Sequence, residues 1–477
     1  MCIVCQTISA GAAALTGILP VAVPEPEALQ PIPAAVSSNA AQASSIGGTT
    51  CKKLGQTRKT SAGSFRCTAV GKRKLWRSIR TATTTSSPTT TTSIPDTSPD
   101  TEFAPVIECK LPKPANLPKD DGAMGSVGFP RNAEYIASEG SHKGLLLFID
   151  FPDIVAGSNL RATFEDWQIP LVEQLFESAS YGRFTLDIVP SQKVYRIDKP
   201  STEYNLIEAP EGGPLPGFPV RLNDLLLDAM TLADRDINFS EYTFVSLAAP
   251  ISARFTLSGA FGVSSLQMQR FDGAQFQFAS FSPLDAVLPK EQYNKNWNWS
   301  HDIGHMLGLM HPYARGVQNA WDIMYNFAPQ PDFLGWNKWK LKWISDNQVA
   351  CLTKPSRTPL TVLLTPVGDK SEGKKLLTVK LGPTTAIAIE VRRATRLDKS
   401  GMQASDEGTI VYRVDTSKSV ESGPFELVSN PSKTSSGWGR FVVGTMKPGE
   451  VTVIEGLEIR VLQSTAAGDY VSIRSRD

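Results

Sequence analysis

From residue 144 the chain reads GLLLFIDFPD, an unbroken apolar run that ends in a turn. A run this short, with no polar alternation, predicts a strand buried on both faces. The next segment, FEDWQIPLVEQLFESAS, places Phe164, Trp167, Leu171, Leu175 and Phe176 at helical spacing on one side. RFTLDIVPSQKVYRI alternates as two paired strands do. VRLNDLLLDAMTLA has helical spacing again, and YTFVSLAAPI reads as a further buried strand. Helices and strands that intermingle in this way predict an α+β layer architecture over 106–354. After Lys354 the pattern changes. PLTVLLTPV, KKLLTVKLG, TTAIAIEVRR, GTIVYRVDT, GRFVVGT and LEIRVLQS come at sandwich-like intervals between Gly, Ser and Pro turns, which predicts an all-β, sandwich-like domain over 355–477. No internal repeat is visible.

The first hundred residues have another character. Residues 1–23 are apolar and rich in small side chains, like a secretory leader, although they lack the basic residues that usually open one. Residues 24–50 are Pro, Ala and Ser with little to bury, a linker. Residues 51–80 hold ten Lys or Arg and no acid, so a net charge of +1 for the whole chain leaves −9 on the remainder. CKKLGQTRKTSAGSFRCTAVGKRKLW predicts two short strands around a Gly/Ser turn, a small module with a Cys pair and a basic end. It is either a solvated domain or a cationic patch for anionic cell-wall polymers. It has no nucleic-acid readout motif, so nucleic acid is not expected as a partner. Residues 81–105 form a Thr/Ser/Pro tether. No apolar run beyond the leader approaches the ~20 residues of a membrane span. The expected protein is exported, either secreted or associated with the cell wall.

Six cysteines fit that compartment. Cys2 and Cys5 would depart with the leader, leaving Cys51 with Cys67 and Cys109 with Cys351 as disulfide pairs. The second pair brackets the α+β region, whose ends are expected to lie close together. A competing role for Cys109 is a latency device, its thiolate on a metal until a propeptide is cut.

That metal is suggested by WSHDIGHMLGLMHPY, residues 299–313, which contains three of the four histidines. His301 and His305 are one helical turn apart, about 40° around the axis, so one ion can take both imidazoles. Trp297, Ile303, Met306, Leu307 and Met310 give the helix a buried side. Gly308 stands where a chain leaving a helix needs positive φ, and a turn there returns His311 as a third ligand. Three protein ligands for Zn²⁺, with a fourth position left for water, are the arrangement of a catalytic rather than a structural site. His142, in a polar loop ahead of a strand, is read as solvated.

The segment resembles the zinc signature of the immune inhibitor A-like secreted metallopeptidases. The resemblance extends to LLLFIDFPD, FESASYGRFTLD, LADRDINFSEY, WDIMYN, FLGWNKWKLKWIS and IEVRR…GTIVYRVD, in order over roughly residues 144–415. It implies a metzincin-like zinc endopeptidase domain with a trailing β domain, peptide or protein substrates, and a Met-turn that puts Met324 beneath the metal. His311 stands where many relatives carry an acid. DRDINFSEY lacks the Asp/Gly-rich continuation that goes with calcium in relatives, so calcium is not part of the reading. The largest departure is Asp302. The family has glutamate there, which takes a proton from the attacking water and returns it to the leaving amine. Aspartate keeps the carboxylate but is one methylene shorter, about 1.5 Å. The expectation is a zinc metallopeptidase with Asp302 as its base; the alternative is a weak or inactive zinc-binding envelope protein.

Overall fold

A computed structural model of the chain describes residues 51–60, 63–70, 73–78, 95–115, 126–206, 221–250, 259–284, 298–312, 321–324, 332–398, 402, 404–419, 422–428 and 444–477. The leader and linker expected over 1–50, Trp297, and most of the GRFVVGT strand lie outside these residues. The described chain falls into two units, within 11–93 and within 94–477.

The small unit is a three-stranded antiparallel meander of β1 (Thr57–Thr60), β2 (Gly63–Val70) and β3 (Arg73–Ser78). It has one strand more than the sequence pattern suggested, because the basic KRKLWR stretch itself pairs with β2. Cys67 and Trp76 face each other across β2 and β3 and bury with Phe65. A Cys51–Cys67 disulfide closes this minimal core. Among the described residues three are buried, too few to hold such a sheet alone, so the cross-link supplies what that core lacks. Lys52, Lys53, Arg58, Lys59, Arg66 and Lys74 are exposed.

The large unit is mixed α+β. Its first layer is built on β4 (Gly140–Asp150), followed by α1 (Asn159–Thr163), α2 (Ile169–Ala179), β5 (Phe184–Pro190), β6 (Tyr195–Arg196), α3 (Leu222–Ala233), β7 (Phe244–Pro250), β8 (Gly259–Gly262), α4 (Ser265–Met268) and β9 (Phe278–Leu284). The sheet order is β5-β4-β7-β9-β8, parallel except for β8, and β6 pairs with β4. The period of two along β4 sends Leu146 and Phe148 into one core and Leu145, Leu147 and Ile149 into another. This explains why Leu145 to Ile149 are all apolar. β5 and β6 do not pair with each other, as their alternation had suggested. Both lie parallel to β4, one along its first half and one along its end. His142 is within β4 rather than ahead of it, half-buried and stacked on Phe184.

Beyond the sheet come α5 (Asn298–Met306) and α6 (Gly335–Lys340). The β region then begins at β10 (Val349–Leu352) and continues through β11 (Leu360–Leu364), β12 (Leu376–Lys380), β13 (Thr385–Arg392), β14 (Gly408–Asp415), β15 (Phe425–Leu427), β16 (Val451–Ile454), β17 (Leu457–Ser464) and β18 (Asp469–Ser475). Two sheets, β10-β12-β13-β14-β15 and β11-β18-β17-β16, share a core of Leu377, Val379, Ile387, Ile389, Val362, Ile459 and Val471 among others. The outer face of the first sheet is also buried: Leu376, Ala388, Tyr412 and Val414 join the core beneath α2 and α5. Cys109 is disulfide-bonded to Cys351 on β10, so no thiolate remains at 109 for a latency contact. The stretch read as tether to residue 105 becomes part of this unit earlier. Ser98 N donates to Thr361 O and Ala104 N to Cys351 O, while Phe103 packs on the β core. Among the described residues no helix is long and apolar enough to cross a membrane.

Candidate metal centre

Helix α5 is held at both ends by polar contacts within an apolar shell. Trp299 Nε1 donates to Ser246 Oγ at 3.0 Å on β7, and Ser246 is 2.7 Å from Ser280 on β9. Ile303 and Met306 are fully buried. The helix ends in a left-handed turn: Gly308 N donates to His305 O, Leu309 N to Gly304 O, and Gly308 has φ +83°. A Cβ there would come within 2.8 Å of the Tyr135 ring. Two cations meet the last carbonyls, Arg131 Nη1 at 3.4 Å from Leu307 O and Lys340 Nζ at 3.2 Å from Gly308 O.

The turn brings the three histidines together. Their ligating nitrogens lie within 4.8 Å of one another, with His301 and His305 buried and His311 partly exposed. His301 Nε2 and His311 Nε2 are 3.0 Å apart. His301 Nδ1 is 2.9 Å from Ile323 O, and His305 Nδ1 is 2.8 Å from Leu309 O. A carbonyl only accepts, so each Nδ1 carries the proton and each Nε2 keeps its lone pair. Ligating imidazoles are oriented in this way by the groups around a metal. Burial, then repulsion from the neighbouring rings, pushes His301 well below the ordinary histidine range and His305 to about 3, so both are neutral and ligand-competent. Two nitrogens at tetrahedral zinc would stand about 3.3 Å apart for bonds of 2.0–2.1 Å, close to the 3.0 Å between His301 and His311. The donor set therefore fits a metal ion; no other described group of His, Cys, Asp or Glu does so.

Met324 is fully buried against α5, and a Cβ on Gly304 would fall 2.3 Å from its sulfur. Asp322 organises this segment: its carboxylate accepts from Met324 N at 2.7 Å, Leu334 N at 2.8 Å and Asn337 Nδ2 at 2.9 Å. Burial raises it to about 6 against those hydrogen bonds. Asp302 is fully buried beside the first histidine on α5.

The sequence reading missed a buried charge network behind the site. Arg392 donates to Glu390 at 2.8 Å, to Asp398 at 3.2 Å and to Trp321 O at 2.8 Å. Asp398 accepts from Asp332 N, and Asp332 pairs with Lys338. The charges of IEVRR, at the end of an otherwise apolar strand, were the available signal. No family model matches the chain, and no curated protein matches it.

Proposed function

We propose that the chain is a secreted or cell-wall-associated zinc metalloendopeptidase, with 106–354 arranged like a metzincin domain of the immune inhibitor A-like type. The observation that carries this reading is the three-histidine centre whose buried rings are each held by a backbone carbonyl through Nδ1. Zinc bound there would polarise a peptide carbonyl and acidify water. In that reaction the Asp302 carboxylate takes the proton of the attacking water and delivers it to the leaving amine. His301 and His305 are buried and His311 is partly exposed, so the centre would be reached from the His311 side. The exposed lysines and arginines of the small unit would hold the protein to anionic cell-wall polymers.

A misplacement of about an ångström can cost a hundredfold in rate, so the short Asp302 supports a second reading, a zinc-binding protein without turnover. Full-length protein decides between them. About one zinc per chain is expected, lost in His305→Ala. Chelator-sensitive cleavage of a peptide library should be slow in the wild type, at least tenfold faster in Asp302→Glu and absent in Asp302→Ala. Zinc binding with all three variants at position 302 inert would establish the second reading; no tightly held zinc would reject both.

A further inference from the structure

Away from the histidines, the large unit contains a cavity of about 520 Å³ where the end of α2 meets two loops of the β region. That is the size range of small-ligand sites. Gln174, Glu177, Ser178 and Tyr181 line it from the helix side, Lys370 and Arg396 from the loops. It shares no lining residue with the metal centre.

Two features set this cavity apart from an ordinary surface cleft. Tyr181 has φ +59° and Arg396 φ +47°. Bulky residues seldom enter the left-handed region, and such conformations concentrate where a site needs a side chain aimed against local preference. Here two of them face one cavity. The second feature is charge. Lys370 and Arg396 are exposed, and among the described residues neither they nor Glu177 enters an ion pair. Behind the lining, Lys338 and Lys375 lie over the Tyr181 ring at 4.6 and 5.1 Å. The Tyr181 ring is itself buried, so a flat apolar ligand finds little ring surface to stack on. The lining offers two cations, one carboxylate, an amide and a hydroxyl.

We propose that this cavity binds a small hydroxyl-bearing anion, its carboxylate or phosphate group held by Arg396 and Lys370 and its hydroxyls by Gln174, Ser178 and Glu177. Guanidinium suits a planar or tetrahedral oxyanion because its donors form a fixed fork. The carboxylate of Glu177 accepts only, which suits hydroxyls and disfavours a bare anion. The site does not depend on the metallopeptidase reading.

Calorimetric titration of the full-length protein tests this with glucuronate, glucose 6-phosphate, glucose and inorganic phosphate. One of the two charged sugars should bind at least tenfold more tightly than glucose or phosphate. Preference for glucuronate marks a carboxylate ligand, and preference for glucose 6-phosphate a phosphorylated one. Arg396→Asn, which tolerates the left-handed backbone, should weaken binding at least fivefold. Lys370→Gln, at an exposed position, should do the same without affecting the fold, and His305→Ala should leave binding unchanged. Absence of saturable binding by both charged sugars, equal binding by inorganic phosphate, or unchanged affinity in the Arg396→Asn/Lys370→Gln double variant would overturn the proposal.

Discussion

Lys340 occupies a position that a lysine rarely holds. Its ammonium is buried against the carbonyls of Ser126 and Gly308, and its charged neighbours are Arg131 and Lys113. Burial, helped by those cations, lowers it to about 7. Below pH 7 both folded and unfolded chains carry the proton, and the cost of burying the charge is fully present. Between about pH 7 and the ordinary lysine range near 10.4 only the unfolded chain binds it, so this residue makes stability rise with pH. Lys340→Met removes that dependence. Urea unfolding from pH 6.5 to 9.5 should show the wild type gaining on the variant by up to about 1.4 kcal/mol per pH unit, the limit for one proton. A constant difference would show that Lys340 stays charged. The histidines behave alike in sign without metal: with folded values depressed, they make the apoprotein lose stability as pH falls from about 6.5 toward 3.

Within α5, Gly304 costs about 1 kcal/mol of helix propensity relative to alanine, so its place between two ligands has a packing reason. Met324 Sδ lies only 2.3 Å from where its Cβ would be. Gly304→Ala should therefore destabilise the protein by about 1–3 kcal/mol despite the better propensity, and should weaken zinc binding severalfold. In a Met324→Ala background the same change should cost far less, a non-additivity that unfolding of the double variant would measure. The element scale also shows what sequence could reveal. Periodicity is enough for β4, α3 and the β region, and histidine spacing for the metal triad. It loses phase in the helix before β5. Residues 164–168 form a π turn, which inserts one residue, so Val172 is buried where Leu171 had been expected. Pairing partners were lost as well, because β5 and β6 pair with a strand distant in sequence rather than with each other. Asp322 carried no pattern, and Arg392 stood out only as a charge in an apolar strand, since a buried charge is defined by partners that sequence spacing does not show.

Across the large unit, the β region packs on the metal-bearing part and also holds pieces of the site. Phe425 N on β15 donates to Pro312 O, next to His311. Arg392 on β13 donates to Trp321 O, two residues before the carbonyl that orients His301. Burial opposes the charge of Arg392, but Glu390, Asp398 and Asp332 outweigh it and raise its pKa. Its removal would leave Glu390 and Asp398 buried without their cation, which typically costs about 3–5 kcal/mol. Arg392→Met should show that loss in urea unfolding, partly recovered in Arg392→Met/Glu390→Gln, where one stranded carboxylate is gone. If the β region also sets the geometry of the metal centre, zinc affinity measured by chelator competition should fall at least tenfold in Arg392→Met under conditions where it remains folded. The double variant would regain stability yet not zinc affinity, because Trp321 O would still lack its donor. Unchanged zinc affinity in the folded single variant would confine the network to holding the fold.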